Sequence, residues 1–251
     1  MSILQRMGNK QGIADQIISF FPKHETYIEP FFGAGGMFFS KPLSKYNIMN
    51  DLDNDVYNLF VVLKDHKEEL LQLLELTPIH ESLLRKWKKQ KETNSLWQAV
   101  RFIFLSNYTL YAKGETLCIE NTNAKEILIN KIKNLNGKLQ NVVFANKDYK
   151  DFLASIKKRI VNKDMFVYCD PPYLHTKANY NKFKENDFLQ LVEILTSRNW
   201  NFAISEFDNE FILRVAQEHN LHVNFIGERK NIHNRRCEIL ITNYKVDARL
   251  F

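Results

Sequence analysis

Residues 170–173 read Asp-Pro-Pro-Tyr and follow directly on the apolar run Met165-Phe166-Val167-Tyr168-Cys169. An aspartate leaving a buried strand into two prolines is a carboxylate on a stiff loop, because each proline fixes its own φ. The prolines carry no N–H, so their carbonyls remain as acceptors, and the residue ahead of each is held out of the α region. Tyr173 adds a flat ring beside those acceptors. Such a site suits a planar group bearing an amino function, its hydrogens held at the edge and its face stacked on the ring. A strand end followed by a plain proline turn would read the same way, so the motif alone decides nothing.

A second motif near the N-terminus changes that. Thr26-Tyr27-Ile28-Glu29-Pro30 reads as a short strand running into Phe31-Phe32-Gly33-Ala34-Gly35-Gly36, and Met37-Phe38-Phe39-Ser40 starts a helix. Glycines at a strand-to-helix turn permit backbone angles that other residues avoid and let a ligand approach the main chain closely. The next apolar strand, Tyr46-Asn47-Ile48-Met49, ends at Asn50-Asp51. An acidic residue about twenty positions after the glycines, at a second strand end, is the usual partner of ribose hydroxyls in nucleoside-binding α/β folds. Glycine turn, acidic strand end and D-P-P-Y all fall at the carboxyl ends of expected strands. Together they are specific.

The elements that hold these motifs alternate. Periodicity predicts helices over 11–21 and 54–64, the latter with Val56, Leu59, Phe60 and Leu63 at helical spacing. Residues 66–135 hold the helical runs 68–76, 81–91, 96–105 and 125–135, with a polar turn at Lys113-Gly114-Glu115 and no convincing strand. Alternation then resumes, with strands at 142–145, 165–169, 201–205, 222–226 and 238–244 and helices at 152–159, 186–198 and 209–219. Strands alternating with helices imply a mostly parallel sheet with helices on both faces. The expected fold is therefore α/β and Rossmann-like, with residues 1–65 and 141–251 forming one domain and 66–140 an inserted helical subdomain.

Composition excludes several classes. The 251 residues, 45% apolar, suffice for one core with a subdomain but not for two large independent domains. Three cysteines, Cys118, Cys169 and Cys237, are odd in number and far apart, so no disulfide framework and no C-x-x-C zinc site is expected. The seven histidines show no H-x-x-x-H pattern, so no metal is expected either, and His233 is the one to watch. Without a signal peptide or an apolar run near eighteen residues, the reading is cytoplasmic, with no membrane partner. A formal charge of +6 modestly favours a polyanionic partner.

At this point the chain resembles the Dam-like (D12) class of DNA adenine-N6 methyltransferases, which use S-adenosylmethionine. The resemblance rests on Arg6-Met7-Gly8-Asn9-Lys10, Glu29-Pro30-Phe31-Phe32-Gly33-Ala34-Gly35, Asp51 and Asp170-Pro171-Pro172-Tyr173, in that order with a long insert before the last. It spans nearly the whole chain and is weak across 66–140. It implies a Rossmann-like methyltransferase fold with a seven-stranded sheet, and an insert that serves as the target-recognition subdomain. It implies that Met7 and Lys10 meet the methionine end of the cofactor, Glu29 to Gly35 form the turn beneath it, and Asp51 takes the ribose hydroxyls. Asp148, with Tyr149 beside it, matches the position that usually contacts the cofactor adenine, and Asp170 lies against the cofactor as well as the base. Two features depart from the class pattern. Met7 and Asn9 replace the Trp and second Gly of the usual Trp-x-Gly-Gly-Lys, and Met offers sulfur contact over less area. The Arg/Asn/Tyr-rich stretch that reads GATC in Dam methylases is not recognisable.

For DNA contact, Arg85, Lys86, Lys88, Lys89 and Lys91 crowd one short helical run around Trp87, spaced so that several reach phosphates at once. A second basic stretch, Arg229-Lys230-Asn231-Ile232-His233-Asn234-Arg235-Arg236, is expected in a loop before the last strand. Tyr180, on the loop 174–184, is placed to close over the pocket or to fill the gap left by an extruded base. A solvated helix face, a charged hairpin loop and plain loop packing are the competing readings of these three features. The partner implied is duplex DNA, and in a modification system also a restriction endonuclease.

Other classes fit less well. Cytosine-N4 enzymes of this architecture generally carry Ser where this chain has Asp170, and glutamine and many RNA methyltransferases carry Asn. A cytosine-C5 enzyme needs a nucleophilic Cys after a proline, whereas Cys169 precedes the prolines inside a strand. An adenine methyltransferase acting on RNA and a non-catalytic DNA-binding or partner subunit are the remaining alternatives, and intact Asp170, Gly33 and Gly35 argue against the subunit.

Overall fold

Strand Met165–Cys169 is buried at all five positions, and so are all four residues of Thr26–Glu29. Runs buried on both faces belong to the middle of a covered sheet, and such strands read as continuous apolar stretches rather than alternating ones. In the computed structural model, which describes residues 3–4, 10–118, 123–135, 137–156, 164–174, 183–230 and 235–246, these two strands pair in parallel at the centre of a seven-stranded sheet.

The strands are β1 (Thr26–Glu29), β2 (Tyr46–Asn50), β3 (Val142–Ala145), β4 (Met165–Cys169), β5 (Asn201–Phe207), β6 (His222–Lys230) and β7 (Arg235–Thr242). Their order is β3-β2-β1-β4-β5-β7-β6. The pairs β1–β2, β1–β4 and β4–β5 are parallel, and β7 runs antiparallel to both β5 and β6. The sheet is thus mostly parallel and Rossmann-like, with one reversed strand inserted near its far edge.

Ten α-helices accompany it among the described residues: α1 (Ala14–Ile18), α2 (Gly36–Ser40), α3 (Asn54–Asp65), α4 (Lys67–Leu76), α5 (Glu81–Lys89), α6 (Ser95–Asn107), α7 (Ala124–Lys133), α8 (Tyr149–Ser155), α9 (Glu185–Thr196) and α10 (Glu210–Glu218). Side-chain caps set several of their starts, as expected for groups that satisfy the orphan N–H donors of a first turn. Asp53 accepts from Asp55 N at 3.0 Å, Asn94 from Trp97 N at 3.1 Å and Asn209 from Ile212 N at 2.9 Å.

The chain divides into two compact units, each discontinuous in sequence. One comprises residues 1–12, 33–43 and 51–146, the other 13–32, 44–50 and 147–251. Within the first, the inserted helices do not stand alone. Helix α3 packs on α6, while α4 packs on α6 and α7. Polar links reinforce this: Gln98 Nε2 donates to Asp55 Oδ1 at 2.7 Å, Asn58 Nδ2 to Ser95 O at 2.9 Å and Arg101 Nε to Trp87 O at 2.9 Å. Helices therefore occur near the runs predicted at 68–76, 96–105 and 125–135, and α3 packs against both α4 and α6.

The last hairpin is longer than the sequence suggests. Residues 229–230 and 235–236, expected in a loop, are paired strand residues, with Arg229 opposite Arg236 and Lys230 opposite Arg235. Charge density in the sequence disguised the strand extension, because the ladder is held by the backbone whatever the side chains carry.

Candidate active site

The D-P-P-Y segment leaves β4 where that strand emerges from the middle of the sheet. Asp170 is half-buried and Pro171 buried, after five buried residues. Two acids on neighbouring strands hold the segment behind it. Glu206, on β5, is fully buried; its Oε2 accepts from Leu174 N at 3.1 Å and its Oε1 from Phe207 N at 2.8 Å. Glu238, on β7, is buried to 1% exposure, and its Oε1 accepts the hydroxyl of Tyr173. The Tyr173 ring meets Phe207 edge-on, with centroids 4.8 Å apart and planes at 88°. Burial first, then Asp170 and Glu238, push the Tyr173 phenol well above its ordinary range, so it stays a neutral hydrogen-bond donor.

Cys169 ends β4 fully buried. Burial, then Glu29 and Asp170, hold its thiol well above the usual value. Thiolate chemistry needs the opposite environment, an electropositive and partly exposed one.

Beside β1, Phe31 lies 5.3 Å from the Tyr149 ring and 6.1 Å from the Phe183 ring, and Tyr149 and Phe183 are 6.0 Å apart. Tyr149 is buried at the start of α8, and its hydroxyl donates to Asp187 O at 2.8 Å. Asp148 caps the same helix, accepting from Lys150 N at 2.9 Å. Glu29 is buried and accepts the Tyr27 hydroxyl at 2.7 Å. Asn50 joins three segments: its Nδ2 donates to Pro30 O and Lys147 O, each at 3.0 Å, and its Oδ1 accepts from Lys147 N at 3.0 Å. Phe32 N also donates to Asn50 O at 2.9 Å, so the end of β1 is stitched to the end of β2.

In the other unit, Gly33 and Gly35 have φ of 53° and 68°, left-handed values that account for glycine at both positions. Among the described residues, a Cβ built on Gly33 would meet nothing within 4 Å. Asp51 Oδ2 accepts from Gly33 N at 2.7 Å, and Oδ1 from Asp53 N at 2.9 Å. These two bonds fix the orientation of the carboxylate, which as an acceptor-only group suits hydroxyl donors. That chemistry, a steered carboxylate next to glycine backbone, fits a ribose-bearing cofactor. Lys10 and Ala34 are buried in this unit.

The basic helix α5 also belongs to this unit. Leu84 and Trp87 point into the core, with Trp87 Nε1 donating to Glu92 Oε1 at 2.7 Å, while Arg85, Lys86, Lys88 and Lys89 are all exposed. Lys86 lies 3.8 Å from Glu92, and Lys88 Nζ donates to Glu115 O at 3.3 Å. In the last hairpin Arg236 is half-buried, its guanidinium 5.5 Å from the Phe207 ring centroid. Met7, Tyr180 and His233 lie outside the described residues, as do the side chains of Arg229, Lys230 and Arg235.

The sequence reasoning missed Asn50, Phe183, Glu206, Phe207 and Glu238. The two acids carried a readable signal, Glu206 as the one charge of Ala203-Ile204-Ser205-Glu206-Phe207 and Glu238 as the one acid of its strand, directly ahead of the apolar run Ile239-Leu240-Ile241. Charges are almost never fully buried without a partner.

The mostly parallel sheet with helices around it is a Rossmann-like α/β fold. The profile of the D12 class N6 adenine-specific DNA methyltransferases matches residues 7–234, and this chain belongs to that family. Similar proteins include the DNA adenine methylase of Escherichia coli K12, 26% identical over 249 aligned residues that cover 88% of this chain and 86% of that protein. Modification methylase StsI of Streptococcus sanguinis is 27% identical over 284 aligned residues, covering 97% of this chain and 43% of that protein. Among solved structures, a putative methylase of Haemophilus influenzae matches with a TM-score of 0.37 and 11% identity, over 96% of this chain and 92% of that one.

Proposed function

We propose that this chain is a site-specific DNA adenine methyltransferase that moves a methyl group from S-adenosylmethionine to the exocyclic nitrogen of an adenine extruded from duplex DNA. The observation that supports this most is the D-P-P-Y loop itself, carried out of the buried central strand and anchored from behind by Glu206 and Glu238.

The adenine amino nitrogen is a poor nucleophile because its lone pair is delocalised into the ring. Asp170 Oδ and the Pro171 carbonyl accept its two hydrogens, draw the nitrogen toward a tetrahedral arrangement and free that lone pair. As the N–C bond forms, the methyl–sulfur bond breaks and the sulfur keeps its electron pair. The cation developing on nitrogen is stabilised by the fixed carboxylate, and one amino proton then leaves to solvent, which gives the neutral methylamine. No covalent enzyme intermediate is needed, so the gain comes from orientation. Tyr173 stacks on the base, which must leave the duplex because its amino group is paired there. Asp51 takes the ribose hydroxyls, Met7 and Lys10 the methionine end, and Asp148 and Tyr149 the adenine of the cofactor. The exposed face of α5 and the end of the β6–β7 hairpin contact phosphates. Relatives named a modification methylase and a type II methyltransferase support a role beside a restriction endonuclease.

The test is to express the chain in a methylation-free host and sequence its DNA with modified bases called. N6-methyladenine at one recurrent sequence, absent with Asp170→Ala, is the expected result. Unmodified DNA, together with no retention of S-adenosylmethionine in equilibrium dialysis, would overturn the reading in favour of a non-catalytic subunit.

A further inference from the structure

We propose that Glu238 is a positioning residue for methyl transfer, acting through Tyr173 by fixing the plane of the ring on which the target base stacks. The inference rests on the adenine-methylation reading and adds a residue to it.

Phe207 and Glu238 are direct cross-strand partners in the antiparallel pairing of β5 with β7. Side chains of such a pair project from the same face of the sheet. Both reach Tyr173. Glu238 Oε1 accepts the phenolic hydroxyl at the far end of the ring, and Phe207 meets the ring at 4.8 Å and 88°. A tyrosine ring has two side-chain torsions. One contact at its flank and one at its para position restrict both. The residue after it is fixed as well, since Leu174 N donates to Glu206, the strand neighbour of Phe207. One cross-strand pair and its neighbour thus define where the ring stands.

Packing alone does not call for an acid at position 238. The residues that follow on β7, Ile239, Leu240 and Ile241, are buried and apolar, and Glu238 is buried to 1% exposure. A carboxylate is costly in such a place unless hydrogen-bonded, and replacing buried ionic groups by apolar ones of similar volume is often neutral or stabilising. Among its contacts, the acid supplies an aimed acceptor for the Tyr173 hydroxyl, which a leucine would not. Reacting groups must be held within about 0.5 Å of their productive positions, and a misplacement of about 1 Å costs on the order of a hundredfold in rate.

The experiment is a double-mutant cycle on the full chain with duplex DNA carrying its target site and labelled S-adenosylmethionine. Glu238→Leu is expected to lower kcat by about tenfold or more while KM for the cofactor changes by less than about twofold. Glu238→Gln keeps an acceptor oxygen and is expected to restore kcat to within about threefold of the parent. Tyr173→Phe keeps the ring, loses the hydroxyl, and is expected to lower kcat to a similar degree. The double variant Tyr173→Phe/Glu238→Leu should be no slower than the worse single one, because both remove the same bond. Losses that multiply in the double variant, or parental kcat in Glu238→Leu, would sink the proposal. Should Glu238→Leu fail to fold, Tyr173→Phe decides: parental kcat in that variant makes the hydroxyl dispensable and overturns the idea. Failure of the parent chain to methylate any adenine would instead count against the adenine-methylation reading.

Discussion

Asp51 Oδ2 lies 2.7 Å from Gly33 N, so the acid directly after β2 in the chain holds the glycine turn. The same carboxylate takes the Asp53 N–H at 2.9 Å, and Asp53 in turn caps α3. One side chain therefore orders both the turn and the helix entry beside it. Asp51→Ala removes two charge-assisted bonds as well as the acceptor proposed for ribose. Cofactor affinity should fall by about 1–3 kcal/mol, measured by calorimetry, and the melting temperature should fall with it. Unchanged affinity in a folded Asp51→Ala protein would remove Asp51 from the cofactor site.

Asp170 stands on the loop rather than in the strand, half-buried, so its carboxylate is not part of the core. Asp170→Ala should lose methyl transfer while its circular dichroism spectrum and melting curve match those of the parent. Near-parental turnover would contradict the proposed activation of the adenine amino group.

Arg85, Lys86, Lys88 and Lys89 are all exposed while Leu84 and Trp87 hold α5 to its unit. Replacing the four by alanine should leave folding intact and weaken DNA binding about equally across sequences. The slope of log affinity against log salt should become shallower by about 0.9 for each phosphate that is no longer neutralised. An unchanged slope would transfer the backbone contact to the end of the β6–β7 hairpin.

Burial holds the Tyr108 phenol up at about 12 and pushes Tyr27, Tyr168 and Tyr173 well above their usual value. These groups ionise more easily in the unfolded chain, near pH 10. Their contribution to stability is complete below about pH 10 and is lost as pH rises toward the folded values. Melting temperature should therefore be flat with respect to these groups between about pH 7 and 9 and drop through the range above about 10. A melting temperature that rises there would reverse the assigned sign.

Cys169 is buried with its thiol held protonated. Thiol reagents at about pH 8, below the ordinary thiol value, should leave it unmodified in the folded protein, and Cys169→Ala should retain methyl transfer. Loss of transfer in a folded Cys169→Ala protein would revive a cysteine nucleophile.

Features confined to neighbouring residues were legible in the chain alone. Strand β4 and the D-P-P-Y after it are contiguous, and proline stereochemistry dictates the loop wherever the strand lies. The positive φ values at Gly33 and Gly35 were legible because only glycine adopts them without strain. The helices of the insert were legible from their apolar periodicity.

Features that join distant segments came from the fold. β7 runs antiparallel between β5 and β6, and that placement brings Glu238 to Tyr173, 65 positions earlier in the chain. No spacing rule contains that distance, because strand order is set by which faces can be covered together. Asn50 reads as a polar strand end until Lys147, 97 positions later, arrives beside it. The charges of Arg229 to Arg236 suggested a loop, yet the β6–β7 ladder continues through 229–230 and 235–236, since backbone hydrogen bonds formed between strands are blind to the sequence pattern of either strand alone. The buried acids fall in the same class: a carboxylate beside an apolar run announces that a partner exists, and only the fold names it.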